Sequence, residues 1–387
     1  MRGTRSTTVV ALVAVGILVA TSVAPGGDLN PPAGPITATD RSILSQATTP
    51  GPHTILAPGS YKLTSDLTGG PTVLTIIADD VTVDLNGFTI DGGGAPGPVV
   101  SVAGSNVTIR NGTVRNTGSE GINAAGEGAA IERVSVHDCG LGIVATGGAR
   151  ITGCDLRDIQ NDGIIASFSS TVTDCTVVRA GLGGFGWGMI IAEGSCATGC
   201  TVRDSTNGIQ GTGSATIDRC AVSSNGSVGI LAENGAVVRG CSARFNNTGY
   251  LVRNSSVLDS VAFQSFLYGF ELPNDARVDR CSSVESANSG FWLGDRSTVT
   301  NSNSARDAAA GIGAGFETTG DYNRVSNNTA IESSNDNFLI NGLLNTVYAN
   351  SAANAGSGTN YNVAPGNDVA PQTPAALSAS GNENITN

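Results

Sequence analysis

A Gly followed by a large apolar residue recurs in this chain at ten nearly evenly spaced positions. The pairs are Gly121-Ile122, Gly142-Ile143, Gly163-Ile164, Gly188-Met189, Gly208-Ile209, Gly229-Ile230, Gly249-Tyr250, Gly269-Phe270, Gly290-Phe291 and Gly315-Phe316. Successive steps are 21, 21, 25, 20, 21, 20, 20, 21 and 25 residues. A period this short, rich in β-formers and turn residues, describes units that bury their apolar face only when stacked on copies of themselves.

One unit, residues 215–233, divides into three extended pieces at 215–218, 221–223 and 229–233, separated by polar or Gly-bearing turns. None has the i, i+3, i+4 apolar spacing of a helix. Three short strands in about 20 residues predict an all-β, single-stranded parallel β-helix of about a dozen rungs. Leucine-rich, hexapeptide and calcium-binding nonapeptide solenoids fit worse, because their diagnostic Leu, six-residue and Gly-Gly-x-Gly-x-Asp patterns are missing.

Columns through the stack follow from the beat. The residue after each Gly points inward and shifts from Ile to Phe along the chain, with Phe338 continuing it. By strand alternation, Ala145, Ala166, Gly211, Ala232, Val252, Leu272 and Leu293 point inward too. A second column is Cys154, Cys175, Cys200, Cys220, Cys241 and Cys281, with Val261 expected in its one gap. Stacked rungs hold Cβ atoms further apart than a disulfide prefers. The column therefore reads as buried free thiols acting as small apolar fillers, with one or two bridges as the alternative. Cys139 and Cys196 fall outside it and read as turn residues. Only His53 and His137 are available as imidazole ligands, so no metal site and no cofactor is expected.

The ends of the chain suggest an export signal. Arg2 and Arg5 precede an apolar run over residues 8–24, and small residues lead to Pro25-Gly26-Gly27. This is the pattern of a secretory signal peptide, with an uncleaved anchor as the alternative. The expected organisation is signal 1–24, linker 25–56, N-terminal cap 57–72, parallel β-helix 73–354 and tail 355–387. Within it, residues 61–67 and 73–77 are expected to close the N-terminal end, and the segment after Asn350 to shield the last rung. The protein is expected to be secreted, periplasmic or at the cell surface, with no stable membrane insertion after signal removal. With 20 basic against 32 acidic residues, clustered cations for nucleic acid are lacking.

The segments at residues 57–68 and 77–90, and the closing stretches at 359–363 and 366–369, resemble those of secreted bacterial β-helix repeat proteins. The resemblance implies a right-handed solenoid of the pectate-lyase-like superfold, with no chemistry assigned. Polygalacturonase-like motifs are missing apart from Asp79-Asp80, which is expected in the first rung, and clustered acids of a pectate-lyase-like calcium site are not evident.

Two function classes follow. One is a non-catalytic scaffold for adhesion or glycan binding, with polysaccharide or cell-surface components as partners. In the other, a lyase or epimerase would use a turn-edge patch. Its candidates are Glu120, His137, Asp138, Asp158, Asp162 and Arg203, with His137, Asp158 and Arg203 placed five residues before their Gly. An imidazole beside carboxylates suits proton abstraction near neutral pH. The outward column Asn123, Val144, Ile165, Ile190, Gln210, Leu231, Leu251, Glu271, Trp292, Glu317 is mostly apolar, which suggests a covering segment or contact surface. Phe185, Trp187 and Trp292 are the candidates for stacking on sugar rings. The long steps before Gly188 and Gly315 are expected to project loops.

Overall fold

The computed structural model describes residues 42–45, 52–370, 372–374 and 384–386. The expected signal at 1–24 lies outside the described residues, as do most of the 25–56 linker and residues 371, 375–383 and 387 of the 355–387 tail. The described residues form parallel strands and turns, with no helix among them. In the regular region each strand pairs with the one three further along, so three faces wind around one core. The representative turn contains Thr216–Asp218, Ala221–Ser223 and Val228–Glu233, in close agreement with the sequence.

The solenoid completes about 15 turns rather than about a dozen. The Gly–apolar beat undercounts because the earliest turns lack it. Val73 and Val99 stand where Gly is later found, and the core column begins with His53, Leu74 and Val100 before reaching Ile122. His53 is buried, and burial lowers its pKa.

The repeat glycines are required by the stacking. A Cβ on Gly142 would lie 2.2 Å from the carbonyl oxygen of Gly163, and one on Gly208 would lie 2.1 Å from that of Gly229. Such an approach is available only to Gly.

Corners obey a second rule. Each commonly turns on one left-handed residue, such as Asp174, Arg219, Asp259 or Arg280. The next residue turns a small polar side chain inward, and that side chain accepts the backbone N–H of the preceding rung. Thus Cys220 N donates to Cys241 Sγ (3.4 Å), Cys241 N to Ser260 Oγ (3.1 Å), Cys281 N to Ser302 Oγ (3.1 Å) and Ser302 N to Asn328 Oδ1 (2.9 Å). Two expectations change here. Ser260 fills the gap in the Cys column, whereas Val261 faces outward. The thiols also do more than fill space, because they accept and donate weak hydrogen bonds.

All eight cysteines are unbridged. Burial pushes the Cys139 and Cys281 thiols up to about 12. Cys139 and Cys196 belong to the strands Ala130–Ala145 and Cys196–Thr198, not to turns.

Two inward columns change together. On the third face, Ile209 and Ile230 give way to Tyr250, Phe270, Phe291, Phe316, Phe338 and Tyr361. These six rings form a parallel stack, with centroids 4.6–5.0 Å apart and planes within 2–7°. On the second face, Val202 and Val222 give way to Ala243, Ala262, Ser283 and Ser304 at the same level. Large rings on one strand are thus offset by small residues on its neighbour, which keeps the interior filled.

Candidate functional site

The turn-edge candidates separate into locally satisfied pairs. His137 is in register with Arg157, while Asp158 follows on the left-handed corner that corresponds to Asp138. Counting back from the repeat Gly misplaces Asp158 by one position, because four residues separate His137 from Gly142 and five separate Arg157 from Gly163. His137 Nδ1 lies 2.7 Å from Asp138 Oδ2. Asp158 accepts two bonds from Arg179, at 2.6 and 2.8 Å, and these hold its carboxyl below the usual range. Arg203 pairs with Asp204 at 2.8 Å. Glu120 accepts from Ser119 and stands beside Leu141 on the third face. The structure therefore brings His137 to Asp138 and Asp158 to Arg179.

Asp162 belongs to a different assembly. The first long rung folds residues 181–186 back over the preceding turn, with Gly181 N donating to Asn161 O (2.8 Å) and Gly183 N to Gln160 O (2.7 Å). Gly186 adopts φ +133°, where a Cβ would lie 2.7 Å from Asn161 O. The loop then delivers Trp187, whose backbone N–H donates to Asp162 Oδ1 at 2.7 Å. Together with Leu141, Asn161, Phe185, Ile190 and Gln210, these residues line a groove of about 410 Å³. Phe185 is 85% exposed at its rim. Gln210 donates to Glu233 at 3.1 Å, which fixes its orientation. An aromatic rim over carboxylate and amide groups can stack on a sugar ring and bond its hydroxyls.

Trp292 stands elsewhere on the same face. From Ile190 the outward column passes through Gln210, Leu231, Leu251 and Glu271 before reaching Trp292. At about 4.8 Å per rung, it lies roughly 24 Å from the groove along the axis. Its ring packs against Tyr268 with centroids 5.8 Å apart and a tilt of 33°. Glu271 and Glu317 flank it in register. Thr248 Oγ1 donates to Glu271 at 3.4 Å, and Ser289 donates to Glu317. Burial raises the pKa of Glu271, and burial followed by the charges of Glu317 and Glu271 raises that of Tyr268.

Sequence reasoning found the aromatics but missed Asn161, Gln210, Tyr268, Glu271 and Glu317 as their companions. The outward column contained the signal for the two glutamates, since each is one repeat from Trp292. Among the described residues, no group of three or more His, Cys, Asp or Glu side chains is arranged to hold a metal ion.

No curated protein matches the chain in sequence. Among solved structures, it is similar to the tailspike protein of E. coli bacteriophage HK620 in complex with pentasaccharide. That similarity has a TM-score of 0.44 and 8% identity, covering 85% of this chain and 72% of the tailspike. It is also similar to the catalytic unit of a thermostable GH87 alpha-1,3-glucanase from Streptomyces thermodiastaticus strain HF3-3. Here the TM-score is 0.47 and identity 14%, covering 80% of this chain and 62% of the glucanase, less than two thirds of its length. Residues 139–278 match the family model described as the right handed beta helix region, and the solenoid that contains them is a right-handed parallel β-helix.

Proposed function

We propose that this chain is a secreted or cell-surface β-helix scaffold whose third face binds polysaccharide without catalysing its breakdown. The observation that carries the reading is the groove in which exposed Phe185 and half-buried Trp187 meet Asp162, Asn161 and Gln210. Its chemistry pairs an apolar platform with a few fixed polar groups, as sugar recognition requires. A rigid stacked scaffold suits such binding, because little ordering is needed when the ligand arrives.

The test is titration of the protein with a panel of oligosaccharides, compared with Phe185→Ala/Trp187→Ala. The double substitution is expected to weaken binding at least about tenfold, on the scale of lost aromatic contacts. No binding by the wild-type protein across the panel would sink the proposal, as would equal affinity in the double variant.

A further inference from the structure

The Trp292 ledge differs electrostatically from the rest of the molecular edge. Along the corners, acids on one rung meet an Arg on the next: Asp259 with Arg280, Asp275 with Arg296 and Glu285 with Arg306. On the ledge the run is Glu271, Trp292, Glu317, so an indole stands where the corner pattern would supply a cation. Neither glutamate takes part in an ion pair among the described residues. Arg253, which is in register with Glu233, is the only cation that acts on Glu271 in the described residues.

The two glutamate backbones are two rungs apart, about 10 Å at the spacing of stacked strands. Each carboxylate has a hydroxyl donor from a neighbouring rung, Thr248 for Glu271 and Ser289 for Glu317. Trp292 and Tyr268 supply an aromatic surface between them. A cation over an indole face is attracted by the ring quadrupole, and flanking carboxylates add to that attraction. The bound partner therefore has both a ring to stack and a positive charge to share.

We propose that this ledge binds a polysaccharide of amino sugars with free, protonated amines, placing an ammonium group over Trp292 between Glu271 and Glu317. The assignment rests on the glycan-binding reading above and adds the ligand's charge to it. It also makes the ledge a second point of attachment on the same face, separate from the Phe185–Trp187 groove. A long chain engaging both points would gain avidity over a short one.

The experiment is calorimetric titration of the full protein with three pentasaccharides: fully de-N-acetylated chitopentaose, N-acetylated chitopentaose and cellopentaose. The titration is run at about pH 5.5, where the sugar amines are protonated, and repeated at about pH 6.5, because burial raises the pKa of Glu271. The de-N-acetylated chain is expected to bind at least about tenfold tighter than either neutral chain. That preference should shrink as salt rises from about 0.05 to 0.5 M, because the charges are partly exposed. Glu271→Gln/Glu317→Gln should abolish the preference while leaving neutral-chain binding and thermal melting nearly unchanged. Trp292→Ala should weaken the cationic ligand in particular.

Equal wild-type affinity for charged and neutral chains overturns the inference while leaving glycan binding intact. A preference that persists in the double Gln variant, with melting unchanged, overturns the ledge assignment. If no pentasaccharide binds, the inference and the functional proposal fall together.

Discussion

The halves of the solenoid on either side of Tyr250 share a backbone but fill it differently. Before Tyr250, Ile and Met on the third face meet Val and Leu on the second, and thiols occupy the column after the first corner. After it, stacked rings meet Ala and Ser, and the column after the first corner becomes mainly Ser and Asn. The stack is bounded by two tyrosines whose hydroxyls donate to backbone carbonyls, Tyr250 to Cys241 (2.8 Å) and Tyr361 to Asn350 (2.9 Å). The comparison shows that the rung constrains summed volume and hydrogen bonding, while leaving residue identity free to change.

The sharpest way to break that comparison is to move one filling into the other half. Phe270→Ala removes a fully buried ring from the stack and is expected to cost about 3–5 kcal/mol in denaturant unfolding. Phe270→Ile and Ala262→Val each disturb the match singly, the first by underfilling and the second by overpacking. Combined, they recreate the Ile–Val pairing of the earlier half. The double variant should recover at least about 1 kcal/mol relative to the summed single costs. Strict additivity would mean that the two columns do not compensate each other.

A smaller effect tests the polar side of the difference. Asp307 occupies a corner column that holds Asn225 and Asn246 in earlier rungs, and accepts from Ser286 N (2.7 Å), Ser283 Oγ (3.1 Å) and Ser304 Oγ (2.6 Å). Burial nevertheless raises its pKa to about 6. The folded state therefore favours its proton, and stability from this group falls as pH rises from about 4 to 6, then remains lower. Asp307→Asn should be more stable than wild type at pH 7 by about 1–3 kcal/mol, with the gap closing near pH 4. His53 acts oppositely as pH falls below 6.5, because its folded pKa is depressed, but it is common to both proteins and cancels in the difference. Melting curves across pH check this, and a gap independent of pH would contradict it.

The fold was legible because its constraints repeat: the Gly–apolar beat records a close backbone contact, and the inward columns record one core. The candidate site was only partly legible. Phe185, Trp187 and Trp292 stood out by type, but Asp162 met the first two only because the Gly-rich loop folds backward. The His137–Asp158 alignment slipped because turn length changes by one residue between those rungs, which counting from Gly cannot detect. Glu271 and Glu317 were hidden in a column whose average character is apolar. Their meaning depends on neither forming an ion pair among the described residues, a relation across rungs rather than along the chain.

The smallest expected effect separates hydrogen bonding from volume in the Cys column. Cys241 Sγ accepts from Cys220 N, while Ser260 occupies the next position and accepts from Cys241 N. If both halves use one corner rule, Cys241→Ser should preserve the contact and cost less than about 1 kcal/mol. Cys241→Ala leaves the Cys220 N–H without its acceptor and should cost more, about 1–2 kcal/mol. Denaturant midpoints of the two variants make the comparison directly. Should Ala prove as stable as Ser, the thiols would be volume fillers alone, and the Ser and Asn columns of the later half would need a separate explanation. A larger loss with Ala would instead make Cys, Ser and Asn alternative solutions to one backbone demand, chosen rung by rung according to the space left by the adjoining core.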